Sequence, residues 1–183
     1  MITKSALVTR DTDLLSKIPC TVALTITTDD GNTAKLIEPH APTPTERLKT
    51  AEALTSKGIP VSARIDPVIP FLNDKPERLI ADLASIGVKH ITSSTYKTKP
   101  DNWQRFAITM PDIAEKLKPL YFEQGEKIGG CTLLPKELRL KLMKNVRSLA
   151  MKNGIEFGVC RENLSQLNTA ACDGSWLLRA KRR

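Results

Sequence analysis

Apolar positions fall into short β-prone runs separated by longer stretches of helical period. Thr21-Val-Ala-Leu-Thr-Ile-Thr27 is the clearest strand, followed by turn chemistry at Asp29-Asp-Gly31. Val61-Ser-Ala-Arg-Ile65, His90-Ile-Thr-Ser-Ser94 and Ile155-Glu-Phe-Gly-Val159 are further strands, and residues 1–4 read as the end of another. Between them the period becomes helical. Thr43-Pro-Thr-Glu46 has the form of a capping box ahead of Leu48, Ala51 and Leu54, and Asp74-Lys-Pro-Glu77 repeats the device before Leu79, Ile80, Leu83 and Ile86. A third helix is predicted over about residues 135–153, with Leu138, Leu142, Val146, Leu149 and Ala150 on one stripe and basic residues on the remaining face. Residues 11–18 predict a short helix. Residues 95–134 predict a loop, one or two helices through 103–110 and Pro111–Phe122, and a turn at Gly129-Gly130.

Three helix-to-strand junctions share one form: Lys57-Gly58-Ile59, Ile86-Gly87-Val88 and Asn153-Gly154-Ile155. Glycine just past a helix closes it in the left-handed conformation without a Cβ penalty. Strand and helix therefore alternate, which predicts an α/β fold with a parallel sheet. Four or five strands are too few for a closed (β/α)8 barrel of about 250 residues. The alternatives are a small open sheet or part of a larger barrel. A first strand beginning at or before Met1 favours the second, with the chain cut from something longer. No linker divides the chain, so residues 1–183 are expected to form a single domain with a basic tail at 179–183.

Composition narrows the classes. At 183 residues, 40% hydrophobic and 26% charged, the chain has enough apolar content for a core, which excludes disorder as its main state. No run approaches the roughly 20 apolar residues of a membrane span, and the N-terminus has no signal-peptide core. A cytoplasmic protein without a membrane partner is the expectation. The net charge is +8, with much of the excess in the third helix and the tail. A solvated helix face with a frayed tail accounts for it; the alternative is a non-catalytic nucleic-acid-binding module, with Tyr96, Trp103 and Phe106 available for stacking.

In parallel α/β folds, ligands bind at the C-terminal ends of strands. That rule selects Lys4 and Ser5; Thr25, Thr27 and Thr28; Arg64 and Asp66; Ser93, Ser94, Tyr96 and Lys97; and Cys160, Arg161 and Glu162. These offer hydroxyls, cations and carboxylates, a set suited to a ligand bearing both a carboxylate and an ammonium group. His40 and His90 have no second ligand at metal spacing and read as structural. Nucleophile-elbow, zincin, P-loop and dinucleotide motifs do not occur. The four cysteines form no CxxC pair, and Cys20 reads as a small buried hydrophobe. Cys160 and Cys172 bracket a polar segment and, with help from Cys131, are the weak candidates for a metal or a second iron–sulfur cluster.

Four stretches resemble one family. They are Ile2-Thr-Lys-Ser-Ala-Leu-Val-Thr-Arg-Asp-Thr-Asp-Leu-Leu15, Leu24-Thr-Ile-Thr-Thr28, Glu38-Pro-His-Ala-Pro-Thr-Pro-Thr-Glu-Arg-Leu48, and Gly58-Ile-Pro-Val-Ser-Ala-Arg-Ile-Asp-Pro-Val-Ile-Pro-Phe-Leu-Asn-Asp74. In order and spacing they resemble the radical SAM proteins of the spore photoproduct lyase, or DNA repair photolyase-like, group. The resemblance implies a partial (β/α) TIM barrel, helices on its outer face, that binds S-adenosylmethionine at the strand tips. In that family a [4Fe–4S] cluster on a CxxxCxxC loop cleaves the cofactor to a 5′-deoxyadenosyl radical. Carried over by position, Lys4 approaches the methionine carboxylate and Thr25 stands where a family serine contacts the cofactor. Thr27 shares that strand end, Arg64 and Asp66 lie near the cofactor, and Ser93 and Ser94 lie near the adenine. CxxxCxxC is absent from these 183 residues. The chain alone is therefore expected to be inactive, with a missing cluster-binding half, or a second copy paired at an exposed sheet edge, as its partner.

Overall fold

The computed structural model describes residues 1–180; the side chains of the expected basic tail at 179–183 lie outside the described residues. In chain order the elements are β1 (Ile2–Thr3), a 3-10 turn (Ala6–Asp11), α1 (Thr12–Leu15), β2 (Val22–Thr25), α2 (Gly31–Ile37), α3 (Pro44–Ser56), β3 (Val61–Val68), α4 (Glu77–Ser85) and β4 (His90–Thr95). Then come α5 (Pro100–Thr109), α6 (Pro111–Phe122), β5 (Glu126–Ile128), β6 (Cys131–Leu133), α7 (Lys136–Lys152), β7 (Glu156–Val159), a 3-10 turn (Ser165–Leu167) and α8 (Trp176–Ala180). The fold is α/β. A parallel sheet has the order β1-β2-β3-β4-β7, and β5 and β6 form a separate antiparallel hairpin.

Local chemistry explains most boundaries. The Thr43 hydroxyl accepts from the Glu46 amide at 3.3 Å, and Glu46 Oε2 accepts from the Thr43 amide at 2.7 Å, closing the predicted capping box of α3. Gly58, Gly87 and Gly154 all have positive φ, as the three junctions require. Other expectations are corrected. Asp74 does not cap α4, whose N-cap is Pro76; its carboxylate accepts from the Phe71 amide at 3.2 Å instead, closing the preceding loop on itself. The Asp29-Asp-Gly31 turn opens a helix, because Asp30 accepts from the Thr33 amide at 2.6 Å and caps α2. The helix expected over 11–18 begins earlier, as a 3-10 turn capped by Ser5. Gly129-Gly130 is the tip of the β5–β6 hairpin.

Alternation along the strands gives the sheet two unlike faces. Val22, Leu24, Val61, Ala63, Ile65, Ile91 and Phe157 point one way, into a core shared with Ala51 and Leu54 of α3, Leu79, Ile80 and Leu83 of α4, and Met143, Val146 and Ala150 of α7. Each fully buried branched aliphatic or phenylalanine side chain there contributes roughly 1.5–3 kcal/mol. The register places Thr25 beside Arg64, Arg64 beside Thr92 and Thr92 beside Gly158, so the opposite face carries a polar row. Residues 168–174 cover part of that face: the Thr92 hydroxyl donates to the Cys172 carbonyl at 2.7 Å, and a Cβ on Gly174 would stand 3.3 Å from Ser62 Cβ. The same segment seals the outer edge of β7. Asn168 Oδ1 accepts from the Val159 amide and Thr169 Oγ1 from the Phe157 amide, while the Thr169 amide donates to the Phe157 carbonyl. At the other edge β1 is two residues long, and Ile2 is exposed.

Candidate functional site

The polar row reaches the C-terminal end of the sheet as a linked group. On β3, the Arg64 guanidinium donates to Asp66 Oδ2 at 2.6 Å; from β4, the Ser94 hydroxyl donates to Asp66 Oδ1 at 2.5 Å. Arg64 and Asp66 expose 16% and 21% of their side chains, so this pair is reachable from solvent and not sealed in the core. Burial alone would lower the Arg64 pKa, but Asp66 and the Cys160 thiol beside it outweigh that and hold it above its ordinary value. Cys160 also meets Cys172 of the covering segment, whose own pKa is raised by burial and by the Cys160 neighbour. Deeper in the row, Ser62 Oγ and His90 Nδ1 share a 2.7 Å hydrogen bond, and burial lowers the His90 pKa. His90 is fully buried at the start of its strand.

A second group stands at the tips of β1 and β2. Glu38, in the loop after α2, pairs with the buried Arg47 guanidinium and with Lys4 Nζ at 3.2 Å, and accepts from the Thr27 hydroxyl at 3.0 Å. Arg47 also donates to the carbonyls of Thr25 at 2.9 Å and Pro42 at 2.8 Å, tying α3 to the strand end. Burial pushes the Glu38 carboxyl up, but Arg47, Lys4 and Thr27 outweigh it and leave its pKa below the usual range. Asn73 supports this corner from within: its amide donates to the carbonyls of Thr27 at 2.8 Å and Pro67 at 3.0 Å, and its oxygen accepts from the Ile69 amide at 2.7 Å.

A third group closes the tips of β4 and β7. Glu162 Oε1 accepts from the Thr95 amide at 2.7 Å, the Thr95 hydroxyl at 3.0 Å and Lys97 Nζ at 2.7 Å. Arg139 reaches both the carboxylate and the backbone carbonyl of Glu162, and donates to Glu126 at 2.8 Å. The expectation that the basic residues of α7 occupy a solvated face is thereby corrected for Arg139, which is buried and fully engaged. A cavity of about 410 Å³ opens next to the second and third groups, lined by Ile37 and Pro39 on one side and Tyr96, Arg105, Phe106 and Met110 on the other.

The structure thus brings Thr25, Thr27, Arg64, Asp66 and Ser94 to one end of the sheet, with Lys4 joined to them through Glu38. It does not bring Ser93 there. By alternation Ser93 points toward the helices, fully buried, and spends its hydroxyl on the Ile65 carbonyl at 2.7 Å. Cys160 and Cys172 are neighbours, whereas Cys131 lies in the β5–β6 hairpin. Among the described residues no group of three or more His, Cys, Asp and Glu side chains is placed to hold a metal ion. The rings considered for base stacking are turned on one another: Tyr96 and Trp103 each stack on Phe106, with centroids 5.3 and 5.8 Å apart, and Phe106 is buried. The buried roles of Arg47, Asn73 and Arg139 escaped the sequence reading, since nothing local marks a polar residue whose partners lie on other elements.

No protein-family model matches the chain. It is similar to an uncharacterized protein of Methanocaldococcus jannaschii, 43% identical over 75 residues, which are 40% of this chain and 29% of the relative. An uncharacterized protein of Acidianus two-tailed virus is 34% identical over 97 residues, 49% of this chain and 32% of the relative. One of Mycobacterium bovis is 28% identical over 99 residues, 50% of this chain and 29% of the relative. In each case the match spans less than a third of the relative's own length. No helix among the described residues is long and apolar enough to cross a membrane.

Proposed function

We propose that the polar row is a binding site for S-adenosylmethionine, and that this chain supplies the cofactor-cradling part of a radical SAM partial barrel of the spore photoproduct lyase-like group. The observation that carries the reading is the two-faced sheet, with helices on the apolar side and Thr25, Arg64, Asp66 and Ser94 side by side at the C-terminal end of the other. Ligands of parallel α/β folds bind at the C-terminal ends of the strands, which is where this group stands.

The donor set fits the amino-acid end of the cofactor. Lys4, with nearly half its side chain exposed, and Arg64 supply cations for a carboxylate. Asp66 supplies an acceptor for an ammonium group, and the Thr25 and Ser94 hydroxyls stand on either side of the Arg64–Asp66 strand. Arg47 and Asn73 hold the strand-end backbone in place through the carbonyls of Thr25 and Thr27. Beside a reduced cluster that gives it one electron, the bound cofactor would supply radical chemistry by cleavage of a sulfonium C–S bond, with Lys4, Arg64 and Asp66 holding its amino-acid end. The residues present do not fit the cluster itself, because these 183 residues contain no CxxxCxxC. In this reading a polypeptide bearing those cysteines, or a second copy of the chain, adds to the sheet at β1, and the chain works inside the cell.

Calorimetric titration of the full chain with S-adenosylmethionine tests the site. Saturable binding that Arg64→Ala and Asp66→Asn each weaken by about tenfold or more is expected, the scale of one charge-assisted contact. Absence of binding by the folded chain, or binding indifferent to both substitutions, overturns the reading. Under reducing conditions the chain alone is expected to release no 5′-deoxyadenosine.

A further inference from the structure

Two partly exposed cysteines that are twelve residues apart in sequence meet at the end of the polar row. We propose that Cys160 and Cys172 form a redox-active dithiol, oxidised reversibly to an intramolecular disulfide by low-molecular-weight disulfides. The inference does not require that the row bind the cofactor, although the pair adjoins Arg64.

The geometry rests on Gly158. A Cβ there would lie 2.6 Å from Cα and 3.0 Å from Cβ of Cys172, so the two backbones touch, and only glycine allows it. Cys160 follows two residues along, on the same face of the strand and about 7 Å further up. A disulfide spans roughly 4.4–6.8 Å between Cα atoms, so closing the bond requires the covering segment to shift toward Cys160. The Thr92 hydroxyl fixes the covering segment through the Cys172 carbonyl at 2.7 Å. The Cys160 thiol interacts electrostatically with both the Cys172 thiol and the Arg64 guanidinium, which places a cation beside the pair. Burial and the neighbouring sulfur keep Cys172 protonated to higher pH, which suits it to act second.

The chemistry is two exchange steps. The Cys160 thiolate attacks one sulfur of the small disulfide, whose S–S bond breaks and releases one thiolate. Cys172 then gives up its proton and attacks the Cys160 sulfur of the mixed disulfide, releasing the second. Two electrons and two protons pass from the pair to the oxidant, which leaves as two thiols.

Trypsin cleaves after Arg161, so the disulfide would join peptide 153–161 to peptide 162–179. The full native chain is treated with oxidised glutathione, alkylated and digested. Expected are a linked pair two hydrogens lighter than the two free peptides, loss of alkylation at both cysteines, and recovery of both on reduction with dithiothreitol. Cys20 and Cys131 should stay alkylated. In Cys172→Ser, Cys160 should instead accumulate the glutathione adduct. Recovery of both cysteines as separately alkylated thiols overturns the proposal. So does linkage that appears only in urea, Cys160 left unmodified in Cys172→Ser, or both thiols found blocked by a bound metal.

Discussion

Two carboxylate groups with nearly the same parts hold opposite sides of the sheet's C-terminal end. Glu38 gathers a buried arginine, a lysine near a strand tip and a strand-end threonine hydroxyl; Glu162 gathers Arg139, Lys97 and Thr95 in the same way. Their depth differs. The Glu162 side chain is wholly buried and Glu38 exposes 12%, while Lys97 exposes 20% and Lys4 46%. Burial turns one set of residues into a structural fastening and leaves the other as a solvated corner whose lysine is free to change partners. Low dielectric strengthens a satisfied pair and makes an unsatisfied one far more costly.

The comparison is broken most directly at its deeper end. Glu162→Ala leaves the buried Thr95 amide and hydroxyl and Lys97 without their shared acceptor and takes one carboxylate contact from Arg139, and should cost about 3–5 kcal/mol, or abolish cooperative unfolding in urea. Glu38→Ala should cost less, about 1–3 kcal/mol, because solvent reaches Glu38 and Lys4 and the buried Arg47 keeps the carbonyls of Thr25 and Pro42; the reverse order would sink the contrast. Gly158→Ala, which forces a methyl group into the Cys172 backbone, should cost about 1–3 kcal/mol in the same urea titration and lower the yield of the Cys160–Cys172 disulfide. Acid should then sharpen the picture. The folded pKa of Glu38 lies below the unfolded one, so its contribution is fully present above the ordinary carboxylate range and fades as pH falls through the lowered value. Glu38→Gln should flatten the acid limb of a stability–pH curve, and an unchanged limb would contradict this. Smallest is Lys4→Ala, expected to change stability by about 0–1 kcal/mol, since an exposed ion pair is worth little. Its effect should show in cofactor titration instead.

Much of the fold was legible because it is written locally. The capping box at Thr43, the glycine junctions and the β-prone runs each act within a few residues, and they delivered the alternation and the parallel sheet. The corrections arise where a side chain chooses a distant or unexpected neighbour. Asp74 looks like a helix cap and closes a loop; Arg139 looks like a surface charge and lies buried under the β5–β6 hairpin. At the candidate site, strand ends could be read from the sequence, and with them Thr25, Arg64, Asp66 and Ser94. Which of two adjacent serines faces the row could not, because it depends on register; Ser93 and Ser94 differ in exactly that.

The two borders of the sheet differ in what they permit. Asn168 and Thr169 occupy the hydrogen-bonding positions beside β7, so a new neighbour there would first have to displace them. β1 has no such guard among the described residues. Of the two borders, the β1 side is therefore the one where a further strand could pair without displacing a described segment.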